Sequence, residues 1–298
     1  MLCLTGGILL VLIFSQPYPT LQTWTGWLTP DGELESFTPV VYGTLRSVLL
    51  PLGGVLLALA GGLVLLRRRS QAWLERLWLA LGEMAGRLSV DTARLLVSAR
   101  NVVREEGRLL AGVALLTLLA ALLRAFYLSK PMGHDETYTY MAFASQGLWT
   151  AVSDYHLPNN HVFHTLLVLV STQLFGNAPW AIRLPAFLFG VLTVPATATL
   201  ALALYGRRAA LLSAAVMAVL PVLVDYSSAA RGYSGMAFFS VILLLLAVYV
   251  RRHRNLAAWG CFALAAGLGT FTHPAMLYPF GVVMTWLCLS ALFEDVGE

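Results

Sequence analysis

Asp135 and Glu136 stand side by side in Pro131-Met-Gly-His-Asp-Glu-Thr-Tyr-Thr-Tyr140, just after an apolar run at about 108–128. A carboxylate there lies close to lipid headgroups, where low dielectric and neighbouring charge tune it for proton transfer. The same pattern also fits a plainer role, in which Asp135 N-caps a helix and Glu136 favours its dipole. Arg231 sits among small residues in Tyr226-Ser-Ser-Ala-Ala-Arg-Gly-Tyr233. Its planar guanidinium suits a phosphate, and equally an ion pair with Asp225 or Asp135. His161 and His164 are three residues apart and can share a helix face; with His156 they could contact phosphate, bind zinc or serve as polar anchors. Thr272-His-Pro274 adds His273, or is simply a helix break.

The elements that must position these groups are membrane helices. The 298 residues are 58% hydrophobic and 11% charged, with a mean hydropathy of +0.75. Soluble domains carry about 25% charged residues, and disordered chains far fewer apolar ones, so both classes are excluded. Spans need about 20 apolar residues each, which leaves room for about six. Apolar runs fall at about 1–15, 45–66, 108–128, 160–175, 180–204, 209–224, 235–250, 256–272 and 274–293. The first lacks a basic leader and reads as a retained, short span. Cys3, Cys261 and Cys288 lie in apolar stretches without metal-ligand spacing or a disulfide framework. The sequence contains no Walker loop, no G-x-G-x-x-G after a strand, no H-E-x-x-H and no G-x-S-x-G.

The net charge of +4 rests on nineteen basic residues, of which Lys130 is the one lysine. They cluster beside apolar runs, which marks cytoplasmic span ends and argues against nucleic-acid binding. Arg67–Arg69 close the second run, so 70–107 is cytoplasmic: a basic stretch of helical period, lying on an anionic membrane surface or forming a solvated linker. The run 160–175 then decides the topology. If it spanned, Arg207–Arg208 and Arg251, Arg252 and Arg254 would fall outside; if it lies along the interface, both clusters fall inside, as the positive-inside rule prefers. The second arrangement brings 129–180, 225–234 and His273 to one external face. Arg124, a turn from the outer end of its span, is expected to snorkel.

In this order and spacing, residues from about 108 to 298 resemble the N-terminal part of a GT-C glycosyltransferase of family 39, the group of protein O-mannosyltransferases and aminoarabinose transferase-like enzymes. The resemblance rests on Asp135-Glu136 after a span, His161-Val-Phe-His164 running to Leu174-Phe-Gly176, Ile182-Arg-Leu-Pro185, Leu204-Tyr-Gly-Arg-Arg208, Tyr226 to Tyr233, and Thr272-His-Pro274. It implies an all-α integral membrane protein: a GT-C-type multi-span helical bundle with interfacial helices in the first external loop. The expected organisation is two N-terminal spans plus a basic amphipathic linker over 1–107 and the GT-C-like module over 108–298, which in the family continues further.

The resemblance also implies the activity: transfer of a sugar, with inversion, from a polyprenyl-phosphate donor to an acceptor hydroxyl of a protein, lipid or glycan. Asp135 would be the general base and Glu136 would position acceptor or base. Arg231, His161, His164, Tyr233 and His273 would bind substrate and phosphate. No resident cofactor is implied, a divalent metal being the lesser alternative. The partners are donor and bilayer, with no nucleic acid, and the expected location is a bacterial plasma membrane with the site facing outward. The competing reading is a truncated, non-catalytic module that binds lipid or a partner. A transporter is disfavoured, because the ionisable groups sit at loop ends and not at mid-membrane.

Overall fold

The computed structural model describes residues 2–28, 34, 36–65 and 67–294, and among these there is no strand. The helices are α1 (Leu2–Phe14), α2 (Tyr18–Thr25), α3 (Pro39–Leu65), α4 (Arg67–Glu105), α5 (Gly107–Tyr127), α6 (His134–Ala142), α7 (Leu148–Ser153), α8 (Val162–Phe175), α9 (Pro179–Tyr205), α10 (Arg207–Val219), α11 (Pro221–Ser227), α12 (Tyr233–Arg252), α13 (Leu256–Thr272) and α14 (Leu277–Glu294). Five of them are long and apolar enough to cross a membrane. The number rises to seven if the bent pairs α1–α2, turned by 108°, and α10–α11, turned by 60°, each count as one span. The chain is thus an all-α integral membrane protein, as its composition predicts.

The chain forms two compact units. In the first, residues 1–86 with 152–157, α1 packs on α3 where two glycines meet. A Cβ on Gly7 would lie 3.0 Å from the Gly53 carbonyl, and one on Gly53 would lie 3.2 Å from the Gly7 carbonyl. Small residues at such a contact let backbones approach in lipid, where no hydrophobic effect drives helices together. Tyr18, Phe37 and Tyr42 cluster beside it, and the Tyr42 hydroxyl donates to the Gln16 carbonyl at 2.6 Å.

The second unit, residues 87–151 and 158–298, carries the polar loops. Leu109, Val113 and Ala120 of α5 pack on Val194 and Ala198 of α9 and on Ala210, Ala214 and Ala218 of α10. Phe239, Leu243, Phe262, Met276 and Val283 join α12, α13 and α14. Two polar contacts fix the direction of these helices. Arg183, near the start of α9, bonds the Leu128 carbonyl at the end of α5, while Arg207, just past α9, pairs with Glu106, just before α5, at 2.6 Å. Helices α5 and α9 are therefore antiparallel neighbours, and the chain between them returns to the end of the bundle it left.

This settles α8. Its 14 residues reach about 21 Å, short of a hydrocarbon core of about 30 Å, and no helix of spanning length in 129–178 could bring the chain back. The loops after α5, α11 and α13 consequently share one end, hereafter the site end. Arg207, Arg208, Arg251, Arg252 and Arg254 mark the other, basic end. The stretch 67–105 is one continuous 39-residue helix.

Arg124 overturns its sequence expectation. It does not snorkel: it is fully buried, with Nε donating to the Ser227 hydroxyl (3.2 Å) and its terminal nitrogens to the carbonyls of Ala120 (3.2 Å), Ala218 (2.8 Å) and Met217 (3.0 Å). Pro221 has no N–H to offer the Met217 carbonyl four residues back, and the break at α10–α11 leaves Ala218 similarly exposed. The Arg124 guanidinium supplies the missing donors.

In a cysteine-free background, single cysteines at His134 and Arg208 should react with a membrane-impermeant maleimide from opposite sides of the membrane. Reaction from one side would overturn the assignment of α8.

Candidate functional site

The loop after α5 is held by a carboxylate whose hydrogen-bonding is complete. Glu136 is 4% exposed, and Oε1 accepts from the Gly133 N–H at 2.6 Å while Oε2 accepts from the Ala230 N–H at 2.8 Å. Arg183 spans both oxygens, with Nε 3.0 Å from Oε2 and a terminal nitrogen on Oε1. The remaining Arg183 N–H groups go to the carbonyls of Leu128 (2.8 Å), Lys130 (2.6 Å) and Pro131 (3.0 Å). All five guanidinium donors and both lone pairs of each carboxylate oxygen are used. Burial pushes the Glu136 pKa up; the Arg183 hydrogen bond, the two amides and the Arg183 charge together outweigh it and hold the carboxyl below its ordinary value. One ion pair therefore ties the end of α5, the start of α6, the start of α9 and the loop 228–232.

That arrangement leaves Asp135 free to face the other way. Gly133, not Asp135, is the N-cap of α6, and Glu136 closes the first turn by accepting the Gly133 amide. The Asp135 side chain is 64% exposed and its Oδ2 lies 2.6 Å from a terminal nitrogen of Arg231, whose own side chain is 10% exposed. The contact has the distance of an ion pair but lacks the angle of a directed hydrogen bond, so this nitrogen and Nε remain without a hydrogen-bond partner among the described residues. The other terminal nitrogen donates to the Tyr233 hydroxyl at 3.4 Å, and the guanidinium carbon lies 5.5 Å from the centre of the Tyr233 ring. Lys130 pairs with Asp225 at 3.0 Å on the same rim.

Behind Arg231 lie three histidines. The His161 ring is 5.5 Å from Tyr233 and 4.7 Å from His273, and Tyr233 is 5.2 Å from His273. The Gly232 N–H donates to His161 Nδ1 at 2.7 Å, so the neutral ring carries its proton on Nε2. The approach demands glycine, because a Cβ at 232 would lie 2.6 Å from the Thr272 carbonyl and 3.0 Å from His161 Nδ1. His273 Nδ1 likewise accepts the Ala275 N–H at 3.1 Å. His164 is fully buried, and neither ring nitrogen has a hydrogen-bond partner among the described residues. Burial, then the His164, Arg231 and His273 charges, push the His161 pKa far down. Burial and Arg231 take His164 down to about 4, and the same two causes lower His273.

Asp135, Arg231, Tyr233, His161, His164 and His273, drawn from four stretches of sequence, thus meet at the site end. Glu136 sits beside them with its acceptors consumed. Asp154 and His156, which belong to the first unit, bond each other at 2.6 Å. Among the described residues no three His, Cys, Asp or Glu side chains converge so as to hold a metal ion. A cleft of about 410 Å³ opens between Lys130, Gly133, Asp135, Asp225, Arg231 and Tyr233. An apolar groove of about 350 Å³, walled by Leu123, Tyr127, Val219, Pro221 and Val224, reaches the same Asp225. Sequence reasoning gave Arg183 no role beyond its place in Ile182-Arg-Leu-Pro185 and misread Arg124. Both stand inside apolar runs, where a charge is tolerated only with partners, and that was the available signal.

A multi-span helical bundle with its polar loops gathered at one end, partly through a short non-spanning helix, has the architecture of a GT-C-type protein. Residues 161–294, somewhat under half of the chain, match the family model for dolichyl-phosphate-mannose-protein mannosyltransferases, which supports a membrane glycosyltransferase of GT-C type. The match begins at His161, so it takes in Arg231 and the three histidines and leaves Asp135 and Glu136 outside. No curated protein and no solved structure matches the chain.

Arg183→Ala strands the Glu136 carboxylate in the interior and should lower stability by about 3–5 kcal/mol, read as thermal unfolding in detergent. The buried, neutral His164 gives a second expectation. Its folded pKa of about 4 lies below the ordinary 6.5, so the unfolded chain binds the extra proton between these values, and stability falls as pH drops from 6.5 toward 4. His164→Leu should flatten that part of the pH–stability profile.

Proposed function

We propose that the chain transfers a sugar from a polyprenyl-phosphate donor to an acceptor hydroxyl, with Asp135 as general base and inversion at the anomeric carbon. The observation that carries this reading is the Asp135–Arg231 pair: an exposed carboxylate and a nearly buried guanidinium 2.6 Å apart at the mouth of a cleft. In this reading the donor phosphate replaces Asp135 as the partner of Arg231, whose Nε and second nitrogen have donor capacity to spare. The isoprenoid tail follows the apolar groove that meets the cleft at Asp225.

Displaced from Arg231, Asp135 turns to the acceptor and takes its hydroxyl proton while the acceptor oxygen forms a bond to the anomeric carbon. The bond from that carbon to the phosphate oxygen breaks, and the leaving phosphate carries away the electron pair, its charge met by Arg231. His161 and His273 accept backbone amides at Nδ1, which leaves each Nε2–H as a donor toward phosphate or sugar. Tyr233, on the cleft wall, completes the substrate contacts, and the fully buried His164 backs Arg231 from behind. Glu136 acts through Arg183 and the Ala230 amide, fixing the loop that presents Arg231, and does not touch the acceptor. The arginine-rich end faces the cytoplasm by the positive-inside rule, so the site faces outward, in keeping with a bacterial plasma-membrane enzyme.

The test is transfer from radiolabelled polyprenyl-phosphate sugars in membranes containing the chain. Asp135→Asn should lower kcat about 10²–10⁴-fold with unchanged folding, as expected for loss of a general base. Arg231→Gln should weaken donor binding as well as turnover. Equal turnover in wild type and Asp135→Asn would overturn the assignment of the base.

A further inference from the structure

At the basic end of the second unit lies a larger pocket that the reaction does not use. It has a volume of about 810 Å³ and is walled by Val90, Arg94, Val97, Ser98 and Asn101 of α4 on one side and by Arg252 at the end of α12, with His253 and Arg254 just after it, on the other. Its two walls are fastened together. Asp91 Oδ2 accepts the Leu256 N–H at 2.7 Å, the first amide of α13, and the Asp91 carbonyl accepts from the Asn255 side chain at 2.8 Å.

The charges do not cancel. Three arginines face the pocket against one carboxylate, Asp91, which accepts the first amide of α13 and stands at ion-pair distance, 3.7 Å, from Arg94, so the balance stays positive. Glu106, at the same end, is engaged by Arg207 at 2.6 Å. Arg94 keeps 70% of its side chain exposed, and Arg252 makes one long bond of 3.4 Å to the Ala203 carbonyl. Around this positive hollow the wall from α4 is apolar, with Val90 and Val97 half exposed. The pocket also stands where α12 ends and α13 begins, at the level of a bilayer surface.

We propose that this pocket binds the phosphate headgroup of an anionic phospholipid, with Arg94, Arg252 and Arg254 around the phosphate and the acyl chains along Val90 and Val97. Positive charge concentrated at a bilayer surface, apolar wall beside it and one carboxylate against three arginines match that ligand better than a soluble anion. The site is independent of sugar transfer. Its consequence is that lipid would bridge α4 to the α12–α13 turn and hold the basic linker against the bundle.

The test uses the full chain in nanodiscs of phosphatidylcholine alone or mixed with phosphatidylglycerol. Arginine modification by phenylglyoxal, mapped by mass spectrometry on the wild-type protein, should spare Arg94 and Arg254 in the mixed discs only, with Arg208 reacting alike in both. In native mass spectrometry, phosphatidylglycerol retention should drop about fivefold for each arginine removed in Arg94→Gln and Arg254→Gln, and stay unchanged in Arg208→Gln. Equal modification in the two kinds of disc, or undiminished retention in the double variant, overturns the proposal. Protection by inorganic phosphate in phosphatidylcholine discs, equal to that by phosphatidylglycerol, would also overturn it, by making the ligand a free anion.

Discussion

The arrangement of the site end depends on placing two charges where lipid and helix exclude water. A carboxylate and a guanidinium can share such a place only if every hydrogen-bonding position on both is filled, since one partner left alone carries a large desolvation penalty. Glu136 and Arg183 meet that condition with each other, two amides and three carbonyls. Because those partners come from four segments, satisfying the pair also fixes the geometry between the segments. Asp135 faces the cleft because its neighbour in sequence is anchored inward. Arg231 lies opposite because Ala230, the residue before it, is anchored by the same carboxylate. Two adjacent acidic residues thus part ways, one holding the loops and the other on the wall of the cleft.

Arg231 is the second organising charge. Burial lowers the basicity of the three histidines behind it, and its charge adds to that effect. A neutral imidazole offers a donor without adding positive charge to a place that already has one. Neutral rings around a single cation keep the repulsion within the cluster small.

Much of this was legible in the sequence, and the legible parts share a cause. Membrane character, span positions and the failure of α8 to span follow from hydropathy and from where the arginines fall, both of which are local signals. Asp135, Arg231, His161, His164, Tyr233 and His273 could be gathered because once the sidedness was fixed, polar residues at one end had nowhere else to go. The roles inside the gathered set were less legible. Whether Asp135 or Asp225 pairs with Arg231 depends on distances that no spacing encodes, and Lys130 takes Asp225. Glu136 looks like a second catalytic carboxylate until Arg183, 47 residues away, is seen on it. Arg124 looks like a snorkelling residue because its partners lie at a helix break about 90 residues further on.

That last separation has a consequence for how the protein is made. Arg124 enters the bilayer on α5, but the carbonyls of Met217 and Ala218 that receive it do not yet exist. At about 5–20 residues per second, their synthesis follows roughly 5–20 s later. During that interval α5 carries an arginine that the finished bundle hides and the nascent one cannot. Until then the guanidinium, one turn from the end of α5, has only the Ala120 carbonyl of its own helix and the headgroup region to turn to, so the native partners of this arginine are acquired late in synthesis.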